Sequence, residues 1–163
     1  MATATISEEI KTALATTLKD NWADKSNETK PNILKADEEA TAARCPAIIV
    51  LDEGSRTEME TCRGRTDTGT VKPGIAQQEY NFRLQIHVKA RRSEDSLALL
   101  NHYRDVIRAI LQDIYTLGEP SLDVACDNED PSIPFTEGSE IYRVGMVNVK
   151  ITAWVPQGQT TLP

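Results

Sequence analysis

The chain has 163 residues, a formal net charge of −7, 39% hydrophobic residues and 26% charged residues. This length fits one domain, and the apolar fraction is too high for a disordered chain. The acidic surplus argues against general nucleic-acid binding, because the molecule as a whole repels phosphate.

The cysteines and the apolar segments exclude further classes of protein. Cys45, Cys62 and Cys126 lack the CxxC spacing of a zinc site, and an odd number does not suit a disulfide framework. Residues 1–10 lack the basic and apolar regions of a secretion signal, and no apolar run approaches the roughly 20 residues that cross a bilayer. The sequence therefore predicts a cytoplasmic protein with no membrane contact.

The first predicted element is a helix over residues 7–21. Thr5 and Glu8 match the capping-box pattern, which satisfies free backbone donors where a helix begins. Residues 24–43 are polar and aperiodic and predict a connection. Four apolar residues at helical spacing form the stripe of the helix: Ile6, Ile10, Leu14 and Leu18.

A short apolar strand and a long loop are predicted next. Residues 47–51 are an unbroken, β-branched run, which is typical of a strand covered on both faces. Residues 54–78 are rich in glycine and poor in apolar residues, and they predict a loop longer than compact domains usually contain. Its basic residues either aid solubility or form an arm that becomes ordered on a partner. The candidate partner-interface residues are Arg56, Arg63, Arg65 and Lys72.

The middle of the chain predicts a strand and a long helix. Apolar and polar residues alternate over residues 80–90, as in a strand with one buried and one wet face. Ser93 is predicted to cap the following helix, and Gly118 to end it. The predicted core stripe of this helix has eight residues: Leu97, Leu100, Tyr103, Ile107, Ile110, Leu111, Ile114 and Leu117.

The last third predicts two strands and a tail. Residues 122–126 suggest a short strand, and residues 127–138, which include Pro131 and Pro134, suggest turns. Residues 141–155 form a strand in which the apolar phase changes, which predicts a bulge near Gly145. Residues 157–163 are predicted to be a flexible tail that a partner orders.

These elements predict one α+β domain over residues 1–163. The one-sided apolar stripes favour a two-layer arrangement, with two main helices packed on one face of a mixed or antiparallel sheet.

The sequence shows no pattern of catalytic, cofactor-binding or metal-ligating residues. His87 and His102 have no partner at ligand spacing and are interpreted as ordinary surface or boundary histidines. Asp127, Glu129 and Asp130 cluster in one segment, but their spacing is not that of an EF-hand. A nucleophile elbow and a phosphate-binding glycine loop are also missing. The sequence therefore favours an assembly component over an enzyme.

The order of the elements resembles a family of virus proteins. An amphipathic helix, a strand over residues 46–51, a long loop, an alternating strand, a helix and a final strand ending in Trp154-Val155-Pro156 are similar to tail terminators and related neck or tail-completion proteins of tailed viruses of bacteria and archaea. The resemblance covers nearly the whole chain and rests on pattern and length.

The resemblance implies a mechanical function. Such proteins are monomeric before assembly and form a ring, generally a hexamer, that caps the finished tail tube and joins it to the head connector. The implied partners are further copies of the chain, the major tail tube protein and the head connector or stopper, with DNA passing through the lumen without specific binding. The implied location is the neck or tail of a virion assembled in the host cytoplasm.

Two alternatives stay open at this point. One is a head-to-tail connector or stopper protein, which differs from a terminator in the neighbours that it touches. The other is a cytoplasmic small-molecule-binding or regulatory domain, which a deep apolar pocket and a stable dimer would favour.

Overall fold

The computed structural model describes residues 5–35, 45–60, 74–156, 159 and 161–163. Within these ranges the chain has two helices and one five-stranded mixed sheet, which confirms the predicted α+β class. The elements are α1 (Ile6–Lys25), β1 (Asn32–Lys35), β2 (Ala47–Glu60), β3 (Ile75–Ala90), α2 (Ser93–Asp113), β4 (Leu122–Glu137) and β5 (Glu140–Pro156).

The sheet has the strand order β1-β2-β3-β5-β4, so β1 and β4 form its two edges. β1 runs parallel to β2, and the other neighbours are antiparallel. The central strands β3 and β5 pair over their whole length, from Ile75 opposite Pro156 to Ala90 opposite Ile141. This long central ladder joins the β1–β2 side of the sheet to β4.

Helix α1 begins as the sequence predicts and ends one turn later. The hydroxyl of Thr5 accepts a hydrogen bond from the backbone N–H of Glu8 at 3.4 Å, which satisfies one free donor at the helix start. Trp22 lies four residues beyond Leu18 on the predicted stripe, and its ring packs edge-on against Tyr103 of α2, with 5.2 Å between the ring centroids. The Trp22 contact explains why the helix extends to Lys25.

Helix α2 differs from its prediction at both ends. The residue at the cap position is Arg92, whose side chain makes no capping hydrogen bond, while Ser93 is the first helical residue. The helix ends at Asp113, and a turn with positive φ at Leu117 and Gly118 leads to β4. Leu97 is 40% exposed and lies outside the core that most of the predicted stripe joins.

The core lies between the helices and one face of the sheet. Alternate residues of β3 and β5 point toward α1 and α2, as the alternating pattern of β3 predicts. The fully buried residues of this core that β3 and α2 contribute include Leu84, Ile86, Val88, Leu100, Ile107 and Ile110.

Strands take up both ends of the predicted loop over residues 54–78. β2 continues to Glu60 and β3 begins at Ile75, while residues 61–73 lie outside the described residues. Backbone pairing, such as Ser55 with Tyr80, satisfies the peptide groups of a strand that has no apolar pattern. A register shift between Asp52 and Ser55 accommodates Gly54, whose φ is +106°.

The predictions of turns after Cys126 and of a bulge near Gly145 are wrong. Residues 122–137 form one strand, because β4 is an edge strand and tolerates Pro131 and Pro134. The register shifts lie in β4, whereas β5 pairs with β3 without any shift. The apparent change of phase arises because Arg143 and Gly145 occupy buried positions in the same alternation as Val147.

The end of the chain contacts the body of the protein. The backbone N–H of Leu162 donates to a carboxylate oxygen of Glu9 at 2.6 Å, and its side chain packs against the core. The tail predicted to be flexible is therefore attached to α1 at this point, while residues 157, 158 and 160 lie outside the described residues.

Candidate interaction surfaces

The predicted partner-interface residues fall largely outside the described ranges. Arg56 is on β2, where its backbone is opposite Glu79 of β3. Arg63, Arg65 and Lys72 belong to the segment that connects β2 to β3 and is not described. The strand pairing therefore places the two ends of this basic segment beside each other, at one end of the central ladder.

One face of the sheet is covered by the helices, and no described helix covers the other, which we call the open face. Polar side chains of β3 and β5 pair across it; for example, Arg83 Nε donates to Asn148 Oδ1 at 3.2 Å. Opposite charges therefore lie together on the open face. The ion pairs of this face among the described residues include Arg83 with Glu53 at 3.6 Å, Lys89 with Glu140 at 3.4 Å, and Lys150 with Glu79.

His87 is on the open face but is not a surface residue, which corrects the interpretation from sequence. It is only 9% exposed, and its Nδ1 lies 2.7 Å from the hydroxyl oxygen of Tyr142. Its Nε2 is buried and has no hydrogen-bond partner among the described residues. Burial lowers the pKa of His87 because the charged ring would lose its hydration. His87 is therefore neutral in the folded protein near neutral pH.

His102 does not belong to a catalytic arrangement within the described ranges. Its Nε2 lies 2.8 Å from Ser26 Oγ, which also accepts the backbone N–H of Glu28. A serine–histidine pair needs a third group that orients the ring. Asp105, the acidic residue one turn after His102 on α2, pairs with Arg108 at 2.9 Å. The described part of the chain also has no group of three or more His, Cys, Asp and Glu residues that could hold a metal.

Two buried arginines, which the sequence analysis did not single out, hold the irregular part of β4. Arg143 donates to three serine hydroxyls: Ser96 at 3.1 Å, Ser132 at 2.9 Å and Ser93 at 3.0 Å. Arg104 of α2 donates to the backbone carbonyl of Asp130. In the sequence, Arg143 stands in phase with the apolar residues of β5, and this position indicates that its side chain is buried. Together these contacts fix residues 130–132 against α2 and β5.

The β4 edge is acidic and carries an exposed apolar side chain. Ile133 is 63% exposed, the most exposed of the large hydrophobic residues in the described ranges. It directly follows the segment that Arg104 and Arg143 hold, and Pro134 comes next. β4 contains no basic residue and has five acidic ones: Asp123, Asp127, Glu129, Asp130 and Glu137.

The opposite edge of the sheet carries a groove of about 250 Å³ between α1, β1 and β2. Its apolar lining comes from Ala15, Ile33, Leu34 and Val50. The charged residues beside it are two lysines and one glutamate: Lys11, Lys19 and Glu8. The groove is thus apolar at its base and carries a net positive charge on the side of α1.

A second cavity, of about 300 Å³, lies between α2 and β4. Arg108 and Asp127 contribute charges to it, and Cys126 contributes a sulfur atom that forms no disulfide with the described residues. This volume is at the lower end of the range for small-molecule sites.

Comparisons with known proteins do not assign the chain to a family. No protein-family model matches it, and no curated protein does so either.

Neither of the two described helices is both long enough and apolar enough to cross a membrane.

Proposed function

We propose that the protein is a structural virion protein, a tail terminator that forms a ring, caps the tail tube and joins it to the head connector. The observation that carries the proposal is the open face of the sheet, on which the charges of Arg83, Lys89 and Lys150 are already paired. A surface of this kind can pack on another subunit without leaving these charges unpaired, and the exposed side chains of Ile75 and Trp154 on the same face add an apolar part.

The ends of the sheet suit contacts with other proteins of the neck. Arg56 lies on β2, and Arg63, Arg65 and Lys72 belong to the connection between β2 and β3. We assign all four to contacts with the tail tube or the head connector. The net charge of −7 suits a DNA conduit, because an acidic wall does not hold a passing polyanion.

The cavity between α2 and β4 favours a second candidate, a small-molecule-binding or regulatory domain. Such a domain would bind its ligand as an isolated monomer or dimer, and binding would raise the melting temperature by mass action. A screen of metabolites by thermal shift tests this candidate; a saturable stabilisation that an Arg108→Ala substitution removes would favour it over the ring.

The test of the proposed function is electron microscopy of particles assembled without the protein. We expect tails of uncontrolled length that are not joined to heads, because nothing stops polymerisation of the tube. Tails of normal length that are detached would indicate a connector or stopper, and normal joined tails would exclude a role in the neck. Complementation with the wild-type chain should restore normal tails, whereas a chain with R56S, R63S and R65S should restore them poorly.

A further inference from the structure

The two edges of the sheet differ in chemistry in a way that fits one copy of the chain to the next. The β4 edge presents an apolar side chain, Ile133, on a strand that has five acidic residues and no basic one. The β1 edge presents an apolar groove flanked by Lys11 and Lys19. From this complementarity we infer that Ile133 of one copy inserts into the groove between α1 and β1 of the next copy. This inference rests on the proposed ring.

The shape of the two partners supports insertion of a side chain rather than pairing of strands. Pro131 and Pro134 lack N–H donors, and two register shifts interrupt β4, so a second strand finds no regular ladder there. The backbone N–H of Val124 donates to the carbonyl oxygen of Tyr115 at 2.7 Å, which occupies part of the same edge. The β4 edge therefore offers side chains to a neighbour.

The segment before Ile133 is fixed before any contact forms. Arg104 holds the carbonyl of Asp130, and Arg143 holds the hydroxyl of Ser132 at 2.9 Å. Binding therefore loses little conformational entropy in this segment, and preorganisation of this kind raises affinity. The two buried arginines thus acquire a role in assembly in addition to packing.

The geometry of the sheet makes the contact heterologous. β1 and β4 lie at opposite edges of one sheet, so a copy that gives Ile133 to one neighbour still offers its own groove to another. Contacts of this kind repeat around a ring when the rotation closes and form a filament when it does not. Closure into a ring is the outcome that the proposed function requires.

Disulfide trapping tests the contact directly. Two variants are prepared with all three native cysteines replaced by serine: one carries Ile133→Cys and the other Ala15→Cys. We expect an oxidised mixture of the two to give a cross-linked dimer at least about tenfold more abundant than a control mixture of Leu97→Cys with Ala15→Cys. Leu97 is a matched control, because it is an exposed apolar residue on the surface of α2.

Other outcomes separate this inference from the proposed function. Equal cross-linking in both mixtures, or efficient cross-linking of Ile133→Cys with itself, would overturn the contact, even if microscopy shows a ring. Specific cross-linking together with normal joined tails in particles that lack the protein would support the contact and reject the terminator function.

Substitutions on the two contacting surfaces give an independent measure of the contact. Ile133→Ser should weaken self-association by about tenfold or more, because burial of a large aliphatic side chain is lost, while the melting temperature stays nearly the same. A chain with K11E and K19E should associate weakly with wild-type protein and recover part of the affinity for a chain with D130K, because Asp130 is the described acidic residue of β4 nearest to Ile133, about 10 Å away along the strand. Failure of this charge exchange, with all variants folded, would contradict the assigned pairing of edges.

Discussion

The two faces of the sheet use the same strands for different purposes. On the covered face, β3 contributes Leu84, Ile86 and Val88, which are fully buried beneath the two helices. On the open face, the same strand contributes Arg83, Gln85 and other polar residues, many of them paired across strands. Successive residues of β3 therefore alternate between stabilising the fold and shaping a surface.

This division separates stability from function in the sequence. Burial of apolar side chains is the dominant favourable contribution to folding, whereas paired surface charges contribute little. Substitutions on the open face should thus change association while the fold persists, and substitutions on the covered face should do the reverse. Neighbouring positions of one strand allow this separation to be tested.

The largest effect is expected from adjacent residues of β3. Leu84→Ala should lower the free energy of unfolding by about 2–5 kcal/mol, because the change removes a fully buried side chain and leaves a cavity. Gln85→Ala, one residue along the strand, should change it by less than about 0.5 kcal/mol. Urea denaturation of both variants measures the difference. Similar losses from the two changes would show that the open face is also a tightly packed core.

Gly145 tests how closely α2 approaches the sheet. A methyl group placed there would lie 2.7 Å from Leu100 Cδ2 and 2.9 Å from Arg104 Nη2, closer than atoms in contact allow. We expect Gly145→Ala to destabilise the fold by about 1–3 kcal/mol, although alanine normally suits a strand better than glycine. Thermal melting of the variant shows whether the substitution lowers or raises the stability of the fold.

The companion change locates the cause of that loss. Leu100→Ala removes one of the groups that the new methyl meets, so the double variant should lose less stability than the sum of the two single variants. Strict additivity would show that the close approach of α2 is not what requires glycine at this position.

The parts of the fold that the sequence predicted share strong apolar periodicity. The stripe from Ile6 to Leu18 repeats often enough to exclude the two-residue period of a strand. The alternation over residues 80–90 repeats often enough to exclude the period of a helix. The cap formed by Thr5 was predictable because it depends on local backbone geometry and one side chain.

The parts that the sequence did not predict are held by their neighbours. Residues 55–60 and 127–137 lack an apolar pattern, and they form strands because β3 and β5 supply hydrogen-bond partners. Pro131 and Pro134 were interpreted as turn residues, although an edge strand tolerates them. Of the candidate partner-interface residues, the structure places only Arg56, whereas the exposure of Ile133 depends on tertiary contacts that no local pattern encodes.

The smallest predicted effect concerns His87, a titrating group that is buried on the open face. Its pKa lies below the ordinary value of 6.5 because burial removes water from the ring. Above pH 6.5 both the folded and the unfolded protein carry neutral His87. As the pH falls below 6.5, the unfolded chain binds a proton that the folded protein resists, so stability declines.

The decline has an upper bound and a clear test. One proton contributes at most about 1.4 kcal/mol per pH unit, and the loss ends below the folded-state pKa. We expect the stability of the wild-type protein relative to a His87→Gln variant to be greater at pH 7.5 than at pH 5.0, as measured by urea denaturation. Glutamine keeps a polar group near Tyr142, and Gln85→Ala serves as a control without a titrating group. A difference that stays constant between the two pH values would mean that His87 is solvated in the folded protein, and the open face would then be more accessible to water at this point than its burial indicates.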